Sequence, residues 1–189
     1  MKAVGIFSGS FNPVHIGHLA LANWICEYEG MEEVWFMVTP QSPLKSEVKL
    51  VDERLRYEMV ERAVSSYSKF RVSDYEFTLP RPSYSVDMLR EVQRSYPDCL
   101  FHFIIGADNW ALIHKWKDYQ TIIRDHPILV YPRLGYEISI PAHCCANVRK
   151  IEAPVIEISS GFIRQACREG KDIRFFLPES AWPYIKDIS

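Results

Sequence analysis

Two histidines near the N-terminus are the residues of this chain best suited to chemistry. His15 and His18 follow a turn of small residues, in the segment Gly-Ser-Phe-Asn-Pro-Val-His-Ile-Gly-His. Side chains three positions apart share one face of a helix. Glycine and serine let an anion approach the backbone, and a helix N-terminus offers unpaired N–H groups and partial positive charge. The pattern therefore predicts a phosphate-binding site, and a nucleotide is the ligand that suits it best.

The elements that would position these histidines alternate between short apolar runs and helical patterns. The apolar runs predict strands over Ala3–Phe7, Glu33–Val38, Phe70–Ser73, Leu100–Ile105, Ile128–Tyr131 and Val155–Glu157. The helical patterns predict helices over His15–Tyr28, Asp52–Ser66, Ser85–Ser95, Asp108–Ile113, Tyr119–Arg124, Ser160–Arg168 and Glu179–Lys186. This alternation predicts an α/β fold, a Rossmann-like parallel sheet with helices on both faces. Ligands of such sheets bind beyond the carboxyl ends of the strands.

Composition and charge narrow the class of protein. The 189 residues, of which 48% are hydrophobic, can bury one sizeable core, so we expect a single domain over residues 1–189. A net charge of −2 predicts no general attraction to nucleic acid or to an anionic membrane. No apolar run reaches the length of a membrane span, and the chain begins with a strand pattern rather than a signal peptide. The composition does not determine the oligomeric state, and a homo-oligomer is one of the alternatives.

Cysteine usage indicates a reducing compartment. The five cysteines are an odd number, are scattered along the chain and form no Cys-x-x-Cys pair. We therefore expect no disulfide framework and a cytoplasmic protein. His143, Cys144 and Cys145 form a tempting cluster, but adjacent residues do not easily supply tetrahedral coordination and no partners stand at ligand spacing. We expect no zinc site there.

The segment that holds the two histidines resembles a known family motif. Gly-Ser-Phe-Asn-Pro-Val-His-Ile-Gly-His is similar to the G-[GS]-[TS]-F-[DN]-P-x-H-x-G-H segment of the nucleotidyltransferases with an HxGH motif. The resemblance implies a Rossmann-like fold, ATP binding by Gly9, Ser10, Phe11 and both histidines, and a catalytic role for His15 and His18. Within that superfamily, the chain resembles the bacterial nicotinate-mononucleotide adenylyltransferases along nearly its whole length.

A second polar turn lies far along the chain, before the helix predicted to start at Ser160. Ser159 and Ser160 can cap that helix or bind an anion, and Arg164 can reach back from its first turn as a permanent cation. The segment resembles the family's I-S-S-[TS]-x-[IV]-R motif, which implies ATP binding by these three residues and a catalytic role for Arg164. Gly161 stands where the family has a hydroxyl residue, so no role is carried over to it. A simple N-cap with a surface arginine is the alternative.

Two loops resemble the family's segments for the acceptor substrate. Thr39–Lys45 is similar to the Pro-Pro-His-Lys loop, with Leu44 in place of the histidine, and implies that Lys45 contacts a phosphate. Tyr84 and Ser85 match the family's [ST]-Y-[ST] segment, where the hydroxyl at the third position meets the nicotinate carboxylate. For Ser85 the alternative role is the N-cap of the following helix.

A third acceptor segment covers residues 103–119. It resembles the family's I-[IV]-G-x-D and L-x-x-W-x-x-[WY] stretches. The resemblance implies that Gly106 and Asp108 bind ATP, Gly106 by letting the ligand approach the strand end. Asp108, which is also assigned to the acceptor, would accept hydrogen bonds from ribose hydroxyls. The resemblance also implies that Trp116 stacks on the pyridine ring, a contact typically worth about 1 kcal/mol. Trp110 is expected to be a core aromatic.

The function that follows is adenylyl transfer from ATP to the phosphate of nicotinate mononucleotide, which yields nicotinate adenine dinucleotide and pyrophosphate in NAD biosynthesis. The acceptor is already an anion at neutral pH and needs no general base. The reaction needs two polyanions aligned and the charge of the leaving pyrophosphate neutralised. Mg²⁺ is expected on the ATP phosphates rather than in a carboxylate cage of the protein.

Several alternatives to this function stay open from the sequence. Nicotinamide mononucleotide and phosphopantetheine are alternative acceptors within the same superfamily. A nucleotide-binding regulator without catalysis is an alternative of a different class. A nucleic-acid binder has no support from a lysine or arginine run. The charge of His15 and His18 is also open, because phosphates favour the protonated imidazole and a helix N-terminus disfavours it.

Overall fold

A six-stranded sheet forms the centre of the computed structural model, which describes residues 1–41 and 50–188. The strands are β1 (Lys2–Gly9), β2 (Glu33–Val38), β3 (Phe70–Ser73), β4 (Cys99–Gly106), β5 (Ile128–Tyr131) and β6 (Val148–Lys150). They lie in the order β3-β2-β1-β4-β5-β6, and every neighbouring pair is parallel. The order reverses between β1 and β4, where α/β sheets of this type bind their ligands.

Helices connect the strands. They are α1 (Ile16–Tyr28), α2 (Glu53–Val64), α3 (Ser85–Ser95), α4 (Ala107–Ala111), α5 (Tyr119–Asp125), α6 (Ser160–Arg168) and α7 (Ile185–Ile188). Short 3-10 turns occupy Tyr75–Thr78, Ile113–Lys115, Ala142–Cys144, Arg174–Phe176 and Glu179–Tyr184.

The two faces of the sheet bury separate apolar cores. Successive side chains of a strand point to opposite faces, so Ile6 joins one core and Phe7 the other. Helices α1 and α2 cover the Phe7 face, and α3 and α5 cover the Ile6 face. The predicted α/β fold with helices on both faces is confirmed. None of the helices among the described residues is both long and apolar enough to traverse a bilayer.

The predicted strand over Val155–Glu157 is wrong. Those residues have irregular backbone, and the sixth strand is β6, which pairs with β5. Pro154 has no N–H to donate to a ladder, and Val155 is 48% exposed, so the apolar run does not face a core. Val148 is buried instead and anchors a three-residue edge strand too short to show a period.

Five predicted helices have different limits in the structure, two of them by one residue: α1 begins at Ile16 rather than His15, and α5 ends at Asp125 rather than Arg124. The helix expected to end at Ser66 ends at Val64. The helix expected over Asp108–Ile113 is the shorter α4, followed by the 3-10 turn Ile113–Lys115. The last helix begins as a 3-10 turn that contains Pro183, because proline removes a backbone donor that an α-helix would need.

Candidate active site

The two histidines lie side by side at the start of α1. His15 is the N-cap, with extended backbone, and the ring centroids of His15 and His18 are 3.6 Å apart in a stacked arrangement. The Nδ1 atom of His18 accepts a hydrogen bond from the His15 backbone N–H at 3.2 Å. The imidazole of His15 is buried, and its Nδ1 has no hydrogen-bond partner among the described residues. The local spacing thus produces the shared face that the sequence predicts.

The charge of His15, open from the sequence, is settled for the free protein. Burial, with a smaller contribution from the nearby Arg133 guanidinium, lowers the pKa of His15 to about 3. His15 is therefore neutral near neutral pH before any anion binds.

This lowered pKa predicts a loss of stability on acidification. Below pH 6.5 His15 is protonated in the unfolded chain but stays neutral in the folded chain. The free energy of unfolding therefore falls as pH falls. Between about pH 7 and pH 5 we expect His15 to account for a loss of about 2 kcal/mol. Urea unfolding at both pH values measures it. His15→Asn, which keeps an N-cap residue without a titratable group, should flatten the slope by that amount, and an unchanged slope would contradict the prediction.

Arg133 is a site residue that the sequence did not reveal. It follows β5 at the same edge of the sheet and lines a hollow beside the histidines, which we call the histidine hollow, together with Gly17 and Ile156. Its Nε lies 3.7 Å from Asp108 Oδ1, and its guanidinium sits over the Tyr131 ring. A cation directly after a strand of a parallel sheet is the signal that could have found it.

A larger depression, the main cleft, opens beyond the ends of β1 and β4. The structure brings together around it six residues predicted from three separate segments: Gly9, Ser10, Tyr84, Ser85, Gly106 and Trp116. Phe7 and Tyr131 line both the main cleft and the histidine hollow. The two compartments are therefore neighbours, separated by the rings of Phe7 and Tyr131.

Tyr84 and Ser85 stand at the entry to α3. Tyr84, and not Ser85, occupies the N-cap position, and its side chain makes no capping hydrogen bond. Ser85 is the first helical residue, so the alternative role of Ser85 as an N-cap is wrong. Its hydroxyl lies at a helix N-terminus, where unpaired N–H groups favour a negatively charged ligand.

Trp116 combines a core role with a position on the main cleft. Its ring meets Phe103 edge-on at a centroid distance of 6.1 Å, while the half-buried side chain also lines the cleft. The indole Nε1 is buried without a hydrogen-bond partner among the described residues. Trp110 is a core aromatic, as predicted, and donates its indole N–H to the Ser139 carbonyl.

Gly106 leaves room for the carboxylate of Asp108. A Cβ atom at position 106 would lie 2.3 Å from Asp108 Oδ1 and 3.0 Å from Tyr131 Cζ. The same Oδ1 is buried without a hydrogen-bond partner in the described part of the chain. The carboxylate therefore keeps an unused acceptor beside the end of β4, as a ligand hydroxyl would require.

We expect Gly106→Ala to displace the Asp108 carboxylate, because no side chain tolerates a 2.3 Å contact. The KM for ATP, the ligand predicted for Gly106, should rise by about tenfold, which is equivalent to the loss of one good contact. Steady-state kinetics of Gly106→Ala, Asp108→Ala and the double variant test this. If the glycine acts through Asp108, the double variant is no worse than Asp108→Ala. Additive losses would show that the methyl group blocks the site directly.

The α6 segment reaches the loop that precedes His15. Ser159 caps α6 by accepting from the Phe162 N–H at 3.1 Å, Ser160 Oγ donates to the Pro13 carbonyl at 2.8 Å, and Arg164 Nη1 donates to the Asn12 carbonyl at 2.6 Å. The N-cap alternative for Ser159 therefore describes its contact in the free protein. Ser160 and Arg164 thus hold the loop that precedes His15, and the arginine lies next to that loop.

Phe11 has a buried side chain beside His18. Its side chain is only 2% exposed, and its ring packs edge-on against His18 at 5.1 Å and against Phe7. The left-handed backbone at Phe11, with φ 43°, turns the ring inward. The side chain of Phe11 supports the ring of His18, and the predicted ATP contact of Phe11 stays a prediction. Lys45 and Leu44 lie outside the described residues, so the predicted phosphate contact of Lys45 stays a prediction.

A buried arginine holds the loops around the site, and the sequence did not single it out. Arg56, on α2, is 1% exposed and donates to four backbone carbonyls at 2.6–2.8 Å. These carbonyls belong to Ser10, Thr39, Pro40 and Val51. The guanidinium thus fastens the loop after β1 to the loop after β2.

Metal chemistry has no dedicated ligand set in the described part of the chain. Within residues 1–41 and 50–188, no group of three His, Cys, Asp or Glu side chains is arranged to hold a metal ion. All five cysteines lie in these ranges and carry free thiols.

Known proteins provide an independent comparison. Residues 6–166 match the family model described as cytidylyltransferase-like. Among curated relatives, the chain is 52% identical to the "Probable nicotinate-nucleotide adenylyltransferase" of Bacteroides thetaiotaomicron, covering 97% of this chain and 90% of that protein. A protein of the same name from Flavobacterium johnsoniae is 41% identical, with 96% and 95% covered.

Solved structures show the same fold. The "Plasmodium falciparum nicotinic acid mononucleotide adenylyltransferase complexed with NaAD" superposes with a TM-score of 0.79 at 18% identity, over 98% of this chain and 96% of that one. The sequence match over most of the chain and the shared fold agree. The chain therefore belongs to the cytidylyltransferase-like family and, within it, to the nicotinate-nucleotide adenylyltransferases.

Proposed function

We propose that this chain transfers the adenylyl group of ATP to nicotinate mononucleotide, forming nicotinate adenine dinucleotide and pyrophosphate. The observation that carries the proposal is the pair of neighbouring compartments at the β1–β4 edge. The histidine hollow gathers phosphate-binding groups, and the main cleft gathers an aromatic face, a helix N-terminus and hydroxyls. A polyphosphate and a pyridine nucleotide can thus meet across Phe7 and Tyr131. The 52% identity to the Bacteroides protein supports this reaction.

The chemical step is an in-line displacement at the α-phosphorus of ATP. A phosphate oxygen of the mononucleotide forms the new P–O bond, and the bond from the α-phosphorus to the bridging oxygen breaks. The electron pair leaves with pyrophosphate, and no proton needs to move. What the protein supplies is alignment and charge stabilisation, which fixed donors provide at low reorganisation cost.

The polar groups of the histidine hollow share that stabilisation with cations from other segments of the chain. His18 donates to the phosphates near the reacting centre, and neutral His15 donates from its one N–H. The guanidinium groups of Arg133 and Arg164 bring positive charge toward the leaving pyrophosphate, and Lys45 adds to it. Mg²⁺ enters as part of the MgATP substrate, since this ion is commonly bound through substrate phosphates and water.

Groups around the main cleft favour an acidic acceptor. Ser85 opens α3, an eleven-residue helix whose N-terminus carries partial positive charge toward the cleft. Lys115 and Lys117 also line the cleft. This environment stabilises the nicotinate carboxylate more than a neutral amide, while Trp116 offers its ring to the pyridine.

The ATP contacts come from other segments. Gly9, Ser10 and Gly106 let the ATP approach the strand ends, and Asp108 accepts hydrogen bonds from ribose hydroxyls. Ser159 and Ser160 complete the ATP contacts.

Pyrophosphate release from MgATP, measured with three acceptors in parallel, tests the proposal. Nicotinate mononucleotide should give the highest kcat/KM, above nicotinamide mononucleotide and phosphopantetheine. Mass spectrometry of the product identifies the dinucleotide, and a reaction without acceptor measures background hydrolysis. A clear preference for either of the other acceptors would overturn the substrate assignment. Tight ATP binding with no turnover of any acceptor would instead support a nucleotide-binding regulator.

The setting of the enzyme is part of the same proposal. We propose that residues 1–189 act as one nucleotidyltransferase domain. The five free thiols support a reducing cytoplasm as its location. Neither nucleic acid nor membrane is required for this reaction, because both substrates are small soluble nucleotides.

A further inference from the structure

Glu76 is a buried carboxylate at the main cleft, and the chemical step above does not use it. It lies in the 3-10 turn Tyr75–Thr78 that follows β3. Its side chain contributes to the cleft lining although the residue is only 4% exposed. A buried carboxylate is costly unless its oxygens accept hydrogen bonds, so its contacts indicate why it stands there.

Three hydroxyl groups from three segments converge on this carboxylate. Oε1 accepts from Ser8 Oγ at 3.0 Å and from Thr39 Oγ1 at 3.2 Å, and Oε2 accepts from Ser83 Oγ at 2.9 Å. Ser8 belongs to the end of β1, Thr39 follows β2, and Ser83 lies two residues before Ser85. One side chain therefore joins the strand ends of the cleft to the loop that enters α3.

The direction of these hydrogen bonds fixes the Ser83 hydroxyl. An ionised carboxylate only accepts hydrogen bonds, so Ser83 must point its hydrogen toward Glu76. Ser8 Oγ and Thr39 Oγ1 also lie 3.0 Å apart, and either of them can donate to the other. Ser83 is itself buried, which leaves it little freedom to rotate away. The backbone from Ser83 to Ser85 is thereby held at a fixed distance from β1 and β2.

The groups around Glu76 offset part of the effect of burial on its pKa. Burial raises the pKa of Glu76 to about 6, while the three hydroxyls and the Arg56 guanidinium act to lower it. The carboxylate is mainly ionised at neutral pH, the state in which it accepts all three hydrogen bonds. Arg56 reaches the same network from α2, because it donates to the Thr39 carbonyl at 2.8 Å.

We propose that Glu76 is a positioning residue for the acceptor, acting through Ser83 to hold Tyr84 and Ser85 where the acceptor binds. This inference rests on the proposed function, which places the mononucleotide between Ser85 and Trp116.

Glu76 is only 4% exposed and both of its oxygens accept from hydroxyls, so it acts through Ser83 rather than as a direct ligand of the acceptor. The backbone of Ser8 is also held by the pairing of β1 with β2, whereas Ser83 lies outside any strand or helix. Removal of Glu76 is therefore expected to affect acceptor binding far more than the ATP side with His15 and His18.

Kinetics of Glu76→Gln, Ser83→Ala and the double variant test this inference. Glutamine keeps the volume of Glu76 but loses the charge and accepts hydrogen bonds at only one of its two ends, so the hydroxyls can no longer donate to both ends of the side chain. We expect KM for nicotinate mononucleotide to rise about tenfold in both single variants, with KM for ATP within about twofold of wild type. The double variant should be no worse than either single variant, because both remove the same contact.

A matched control separates positioning from a general loss of stability. Glu58→Gln removes another carboxylate that accepts two hydrogen bonds, from Tyr184 and Arg62, away from the cleft. It should leave both KM values unchanged. Equal increases in both KM values for Glu76→Gln, or a lower melting temperature with wild-type kinetics, would overturn the positioning role. Wild-type kinetics of Ser83→Ala would overturn the route through Ser83, and this variant still tests the inference if Glu76→Gln fails to fold.

The same experiment keeps the two proposals apart. Wild-type protein that turns over a different acceptor rejects the proposed substrate, and the variants are then compared on the acceptor that is used. If no acceptor is turned over, calorimetric binding of nicotinate mononucleotide to wild type and variants replaces the kinetics. A tenfold weaker binding in Glu76→Gln and Ser83→Ala supports the positioning role, and equal binding overturns it.

Discussion

Replacing His18 with alanine is expected to lower kcat for adenylyl transfer by at least about 100-fold. Loss of one well-placed donor to developing charge typically costs two to three orders of magnitude. The structure gives a second reason for a large effect, since His18 also stacks on His15 and accepts its backbone N–H. The variant removes one phosphate donor and also the contacts that hold His15 beside it.

The fold should survive this substitution. The His18 ring is partly exposed and contacts Phe7 and Phe11 edge-on, so truncation leaves a gap at the surface rather than inside a core. KM for ATP should change far less than kcat if the interaction is made mainly in the transition state. Initial rates of pyrophosphate release measure kcat, and thermal unfolding checks the fold.

His143→Ala is the control for this measurement. His143 is an exposed histidine in the 3-10 turn before β6. It lines neither the main cleft nor the histidine hollow. It should retain wild-type kcat, which shows that loss of a histidine alone has no effect. A kcat of His18→Ala close to wild type would remove His18 from the catalytic machinery and leave Arg133 and Arg164 as the principal phosphate-binding groups.

Local sequence determined most of what could be predicted. His15 is the N-cap of α1 and His18 lies in its first turn, so their closeness follows from local spacing and the hydrogen bond between them. The strands β1 to β5 are apolar runs between helical patterns, and their parallel order follows from the alternation. Gly106 and Ser85 were found through motifs that occupy consecutive residues at strand and helix ends.

Contacts between distant segments could not be predicted in the same way. Glu76 meets Ser8 across 68 positions and Arg56 meets Ser10 across 46, and no spacing rule connects such residues. The motif also does not show that Phe11 has left-handed backbone, with φ 43°, and a buried ring. β6 was missed because a three-residue edge strand with two exposed charges has no apolar pattern.

The buried arginine gives the largest expected effect on stability. Arg56→Met keeps much of the side-chain volume but removes every donor to the four carbonyls that the guanidinium holds. A buried carbonyl left without its donor costs about 1–3 kcal/mol, and relief from burying a charge offsets part of the sum. We expect a net loss of about 4 kcal/mol in the free energy of unfolding, or about 10 °C in Tm.

Two further variants assign that loss to its cause. Arg62→Met removes an arginine from the same helix, where an exposed ion pair with Glu58 should contribute less than about 1 kcal/mol. Arg56→Lys keeps the charge without the planar fork, so it should recover only part of the stability. Equal stability of Arg56→Lys and wild type would show that charge beside Glu76 matters, and not the hydrogen bonds to carbonyls.

The catalytic consequence of losing Arg56 follows from which carbonyls it holds. Ser10 belongs to the first motif, and Thr39 and Pro40 follow β2, so the same side chain fixes both loops that flank the end of β1. Once released, these loops can move apart, and we expect KM to rise for ATP and for the acceptor together. This joint rise differs from Glu76→Gln, where only the acceptor is affected. Urea unfolding and two-substrate kinetics on Arg56→Met and Arg62→Met measure both effects, and an Arg56→Met variant as stable as Arg62→Met would show that the carbonyl contacts do not hold the loops.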